Sequence, residues 1–96
     1  MIHVLKIDPK YFAAVRSGEK RFELCRNDRN FQVGDYIALN EYDRVQKAYT
    51  GRTELVQISY IMNPNDVMTC EGDFVLMSLS LELKSEYDSN DTKEDK

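Results

Sequence analysis

The residues with the most chemistry to offer lie in one stretch, Ser17 to Asp43, SGEKRFELCRNDRNFQVGDYIALNEYD. Lys20, Arg21, Arg26 and Arg29 surround two acids, Glu23 and Asp28, and five of the thirteen basic residues fall between Arg16 and Arg29. Two arrangements suit such a cluster. Spacing alone favours a solvated face carrying its own ion pairs, Lys20 with Glu23 and Arg29 with Asp28. The alternative is an anion site, in which guanidinium forks hold phosphate oxygens in a plane. Glu23 and Asp28 also invite an acid/base reading, but carboxylates beside arginines are ordinarily charge partners.

Other chemistries find less footing. A metal centre needs clustered His, Cys or carboxylate ligands, whereas this chain has one histidine and two distant cysteines, Cys25 and Cys70. No metal or cofactor is expected, and His3 reads as a strand residue. Cys25 adjoins Arg26 and lies near Arg29, charges that lower a thiol pKa. With no base nearby in sequence, Cys25 reads as a loop thiol of ordinary reactivity. Gly18 and Gly34 do not form a phosphate-cradling loop, and no Walker or dinucleotide signature occurs.

Charge narrows the partners. The net charge is −4, but residues 85–96 carry five acids and two lysines, so the remainder is close to neutral. Broad electrostatic binding of nucleic acid calls for a basic domain; a near-neutral body with one basic cluster suits a small, specific pocket. No run of about 18 apolar residues is present, so no membrane span is expected. MIHVLKIDPK meets a charge at Lys6 and lacks a cleavage site, which favours the cytoplasm. Two cysteines are too few for a disulfide-stapled secreted scaffold, so reduced thiols are expected.

The elements that must position the cluster follow from periodicity. His3–Ile7 reads as a strand. Asp8-Pro9 opens a helix, with Asp8 accepting from a free N–H and Pro9 where none is needed. The helix runs to Arg16 or Ser17, with Phe12 and Val15 on its buried side beside Tyr11 and Ala14, and Gly18 stops it. A strand is expected over Lys20–Leu24, with Phe22 and Leu24 on one face, then a polar loop over 25–32 and a turn at Val33-Gly34-Asp35. Tyr36–Tyr42 alternates to place Ile37 and Leu39 together. Residues 43–50 read as a loop. Arg52–Met62 is a strand with Val56, Ile58, Tyr60 and Met62 on one face. Asn63–Asp66 breaks it, and Phe74–Leu83 is the last strand. From Ser85 the chain cannot bury enough surface to offset its ordering entropy, so a disordered acidic tail is expected beyond a single domain over 1–84. The fold class is α+β: a small mixed β-barrel of about five strands, with one helix between the first two.

The run Gly18-Glu19-Lys20-Arg21-Phe22-Glu23 resembles the G-x-K-x-x-E signature of ASCH domains, members of the PUA-like superfamily. Asn27-Asp28-Arg29, Val33-Gly34-Asp35, Glu41-Tyr42-Asp43, Tyr49-Thr50-Gly51-Arg52 and Asp73-Phe74-Val75-Leu76 resemble, in order and spacing, a small bacterial and phage subfamily of that group. The likeness spans about residues 2–83. It implies a PUA-like barrel with an RNA-binding cleft lined by the helix cap, the signature strand and the following loop. Carried over, Lys20 and Glu23 face the cleft, Asn27 and Arg29 stand at its rim, and Arg26 joins them on the backbone oxygens. One position departs from the pattern: an arginine is expected two residues after the glutamate, and Cys25 stands there. Adjacent strand residues face opposite ways, so Arg26 substitutes only if the chain kinks.

The expected function is therefore binding of RNA, or of a nucleotide-like ligand, through Lys20, Glu23, Arg26, Asn27 and Arg29. Some ASCH relatives hydrolyse acylated cytidine with a threonine where Glu23 stands. An amidohydrolase acting on a modified nucleoside is the alternative here, without that hydroxyl; a protein-interaction module is the third.

Overall fold

Period-two alternation of apolar residues builds most of this structure. The computed structural model describes residues 1–83. The acidic stretch 85–96, expected as a tail, lies outside the described residues, as does position 84, the expected domain end. The elements are β1 (Ile2–Ile7), α1 (Pro9–Ser17), β2 (Phe22–Arg26), β3 (Tyr36–Asp43), β4 (Ala48–Met62), a 3-10 turn at Pro64–Asp66 and β5 (Phe74–Ser80).

All five strands join one sheet in the order β1-β3-β4-β5-β2. β1 runs parallel to β3, and every other pairing is antiparallel. A parallel pair cannot be closed by a hairpin and needs a crossover. Here the crossover contains α1 and then β2, which is laid on the far side of the sheet. The expected α+β class, the mixed sheet and the single helix after the first strand are all present. β1 and β2 are the two ends of the sheet rather than hydrogen-bonded neighbours. The curl is thus a half barrel, and the loss of edges expected from closure does not come from strand pairing.

The inner face is the core. His3 and Ile7 of β1, Ile37 and Leu39 of β3, Val56 and Ile58 of β4, and Val75, Met77 and Leu79 of β5 are buried there. α1 lays Phe12 and Val15 across this face, both fully buried. Removing the Phe12 ring would cost about 3–5 kcal/mol. Phe31, in the loop before β3, closes the same cluster.

Several expectations change on tertiary grounds. β2 begins at Phe22 rather than Lys20 and continues through Cys25 and Arg26, because those residues pair with Val75 and Phe74. The expected loop over 43–50 is largely hairpin, with Tyr42 opposite Tyr49 and Asp43 opposite Ala48. Its turn is held by the Asp43 carboxylate, which accepts from the Val45 and Gln46 N–H groups at 2.9 and 3.2 Å. A bulge between Ile58 and Tyr60 shifts the β4 alternation. Tyr60 and Met62 consequently turn away from the face of Val56 and Ile58, and Ile61 packs on the core instead. β5 stops at Ser80, leaving Leu81 and Leu83 exposed. Tyr11 is exposed as well. The Asp8 side chain makes no helix cap; it accepts from Arg44 Nε at 2.6 Å.

Candidate functional site

Lys20 is aimed by the end of α1. Gly18 adopts φ +87°, a left-handed conformation that costs other L-residues more. Its N–H returns to the Val15 carbonyl at 3.0 Å, and the Lys20 N–H returns to that of Ala14 at 2.9 Å. The chain is thereby folded against the helix just before β2 begins. Lys20 Nζ donates to Glu23 Oε1 at 2.9 Å and to the Phe22 carbonyl at 2.7 Å. The ammonium also lies 4.7 Å from the Phe22 ring centroid and 5.7 Å from that of Tyr11. Lys20 and Glu23 side chains are 15% and 16% exposed, so the pair is neither solvated freely nor sealed.

The two faces of β2 separate the remaining expected site residues. Glu23 and Cys25 stand opposite Met77 and Val75 and share the inner face with them; Phe22, Leu24 and Arg26 stand opposite Ser78, Leu76 and Phe74 on the outer face. The register runs unbroken from Phe22 to Arg26, so no kink brings Arg26 round. Its guanidinium lies instead 5.7 Å from the Phe74 ring, on the side away from Glu23. Asn27 is fixed through its backbone, the N–H donating to the Asp73 carbonyl at 2.9 Å, and its side chain is exposed.

Arg29 reaches across the opening of the half barrel. Its Nη1 donates to the Val4 carbonyl of β1 at 2.6 Å, and its Nε lies 3.7 Å from Asp28 Oδ1. Both ion pairs expected from spacing, Lys20 with Glu23 and Arg29 with Asp28, are therefore formed. The carbonyls of Phe22 and Val4 have a common position. Arg21 and Asn27 turn their backbone groups toward β5, so Phe22 turns its own to the open side of β2. Met1 accepts from the Tyr36 N–H, so Val4 likewise faces the open side of β1. One cation thus sits on each lip of the gap between the end strands. Exposed strand edges invite pairing with other chains, and charged side chains blunt them.

Leu5 of β1 and Cys25 of β2, at inward positions of the two end strands, pack partly on the core. Cys25 is a free thiol and belongs to β2, not to a loop. Burial pushes its pKa up to about 11, and the charges of Glu23 and Asp28 add to the rise against Arg29 and Lys20. Burial thus opposes thiolate formation at Cys25.

A second ionic site had no role assigned from sequence. Glu41 continues the Ile37, Leu39 alternation into the core and is 2% exposed. Arg52 Nε and Nη2 grip its two carboxylate oxygens at 2.8 Å each, and Thr50 Oγ1 donates to Oε1 at 2.5 Å. The Arg52 and Thr50 hydrogen bonds hold Glu41 below the usual glutamate pKa, against the effect of burial. The Arg52 and Arg16 guanidinium carbons lie 5.0 and 4.7 Å from the Phe12 ring centroid, and Arg16 Nε pairs with Glu54 at 2.9 Å. The motif pieces Glu41-Tyr42-Asp43 and Tyr49-Thr50-Gly51-Arg52 meet in this network. An acid in register with buried apolar residues was the signal that could have found it, since a buried carboxylate requires a partner.

A third pair joins His3 Nε2 to Asp35 Oδ2 at 2.8 Å, with the His3 ring centroid 4.6 Å from that of Phe31. Burial opposes ionisation of Asp35, but the hydrogen bonds from His3 and the Gln32 N–H outweigh it and lower the pKa. His3 is the strand residue expected of it. Among the described residues, no helix is long and apolar enough to cross a membrane.

Residues 2–79 match a family model described as a domain of unknown function, DUF3850. An uncharacterized 12.9 kDa protein in the GpA 3' region of Escherichia phage P2 is 37% identical over 76 residues. That alignment covers 79% of this chain and 65% of the phage protein, so the chain spans less than two thirds of the relative's length.

Proposed function

The chain belongs to the DUF3850 family, and for this member we propose binding of RNA, or of a nucleotide-like ligand, in the gap between β1 and β2, as in the PUA-like ASCH domains it resembles. The observation that carries this reading is the placement of Lys20 and Arg29. Each holds an outward-facing carbonyl on an opposite lip of one opening, at 2.7 and 2.6 Å. Both are poised to exchange a neutral carbonyl for a phosphate oxygen, a stronger acceptor because it is charged. Glu23 keeps the Lys20 ammonium aimed between the lips and offers a carboxylate oxygen to a base-edge amine. Asn27, at the rim, adds an exposed amide. Arg26 faces the other side of β2 and has no part in this binding.

The test is a salt titration of short single-stranded RNA against wild type, Lys20→Ala and Arg29→Ala. Two phosphate contacts give a slope of log affinity against log salt of about −1.4, and each substitution flattens it by about 0.7. Absence of binding at low salt, or wild-type affinity in both variants, would overturn the proposal and leave the two cations as guards of the strand edges. Purified protein is expected to leave acylated cytidine intact. Turnover abolished by Lys20→Ala would replace the binding reading with the hydrolytic one.

A further inference from the structure

The outer face of the β4-β5-β2 half of the sheet is apolar and uncovered. Its rows follow from the registers: Tyr60, Ser78 and Phe22 lie side by side, and Met62, Leu76 and Leu24 form the next row. The segment from Pro64 to Cys70 rises beside the second row and leaves a groove of about 360 Å³, lined by Leu24, Met62, Val67, Met68, Phe74 and Leu76 among others. That is roughly a dozen water volumes bounded almost wholly by carbon. Val67 and Met68 at its rim are 70% and 62% exposed, and Tyr60 is 66% exposed.

We propose that this face is the interface of a homodimer, in which Val67 and Met68 of each copy enter the groove of the other. Three observations select a second copy over other occupants. The patch carries both the cavity and protruding apolar side chains of a kind to fill it, the self-complementarity that a two-fold interface requires. Its exposed Phe22, Leu24, Tyr60, Val67 and Met68 offer about 600 Å² at roughly 200 Å² per whole large side chain. Two such patches bury about 1,200 Å², the lower bound of specific interfaces, and one patch alone stands at the top of the range of about 300–600 Å² for an ordinary monomer's largest apolar patch. The groove's one charged lining residue is Glu71, and beside it Arg26, 5.7 Å from the Phe74 ring, is a lone cation rather than the run of cations that a phosphate backbone demands. The face lies on the opposite side of β2 from Glu23, and the two sites meet at Phe22, whose ring lies 4.7 Å from the Lys20 ammonium. This inference does not rest on the RNA-binding reading.

Sedimentation equilibrium of the full chain from about 1 µM to 1 mM tests it. Wild type is expected to pass from monomer to dimer within that range. Leu24→Asp and Met68→Asp should each raise the dimer dissociation constant at least tenfold, with far-UV circular dichroism reporting that the fold is kept. Met68 lies outside the strands and decides the matter if Leu24→Asp fails to fold. Val45→Asp makes the same chemical change at the β3–β4 hairpin, 92% exposed and off the patch, and should leave the constant unchanged. A wild-type chain that stays monomeric to 1 mM overturns the proposal. So does a dimer indifferent to Leu24→Asp and Met68→Asp, or one weakened equally by Val45→Asp. A monomer whose RNA affinity falls in the Leu24 and Met68 variants would assign the face to nucleic acid instead.

Discussion

Two acid–base pairs stand at different places on the half barrel and show opposite economies of charge. Arg52 and Glu41 form a bidentate pair whose acid is 2% exposed, with Thr50 taking a further lone pair. Lys20 and Glu23 make one hydrogen bond at 2.9 Å, and the lysine divides itself between Glu23 and the Phe22 carbonyl. The first pair has no acceptor to give up without stranding a carboxylate in the core, and desolvation makes that costly. The second has exchangeable partners at the lip of an opening. Strength of pairing therefore marks the structural site, and divided pairing marks the candidate binding site. A local sequence signature points to the weaker pair, whereas the stronger one joins residues eleven apart across a hairpin.

The sharpest way to break this contrast is to remove one base from each pair. Arg52→Ala should lower the melting temperature by roughly 10 °C or more, because it leaves Glu41 buried without its fork. Calorimetry or circular dichroism reads it, and a change under about 3 °C would remove the structural role assigned to this pair. The same pair sets an acid response. Glu41 has a folded pKa below its ordinary value of 4.5, so its contribution is complete above pH 4.5 and is lost as pH falls through the lower folded value. Asp35, lowered from 3.8, acts with the same sign, its contribution complete above pH 3.8 and lost as pH falls through its lower folded value. Urea midpoints between pH 7 and 3 should fall on the acidic side, and Glu41→Gln should flatten that fall.

Cys25 reports on the inner face of β2. A rise of its pKa from 9.0 to about 11 cuts the thiolate population about 100-fold at neutral pH. Iodoacetamide should therefore label Cys25 about 100-fold more slowly in the folded chain than in urea. Equal rates would mean that the Cys25 thiol is solvated in the folded chain. The raised value also means that its stabilising contribution, intact below pH 9, is lost as pH rises through about 11.

Lys20→Ala is the counterpart of Arg52→Ala: RNA affinity at low salt should drop several-fold while the melting temperature moves by less than about 3 °C. A large loss of stability would erase the distinction between the two pairs. The smallest effect belongs to Arg26→Ala, which should leave both RNA affinity and its salt slope unchanged within error. A slope flattened by about 0.7 would place Arg26 in the cleft after all.

Much of the fold was legible because its causes are local. Pro9 and Gly18 bound α1, helical spacing placed Phe12 and Val15 in the core, and strand alternation placed Ile37 and Leu39 there. The self-pairing of Lys20 with Glu23 and of Arg29 with Asp28 also followed from spacing, since each pair is three residues apart or adjacent. What escaped depends on partners distant in the chain. β2 starts at Phe22, two residues beyond the start that local alternation predicts, because its register is set by β5, some fifty residues later. Tyr60 leaves the core face that alternation predicts because a bulge against β5 reverses the alternation after Ile58. Arg29 on the Val4 carbonyl, twenty-five residues away, and Arg52 on Glu41 exist only once the sheet has curled. Periodicity and capping act within a turn or a strand, so the sequence by itself determined the elements and their inward faces. Which cation guards which edge, and which acid is sealed inside, was decided by strand order, because only the assembled sheet brings those backbones within hydrogen-bonding reach.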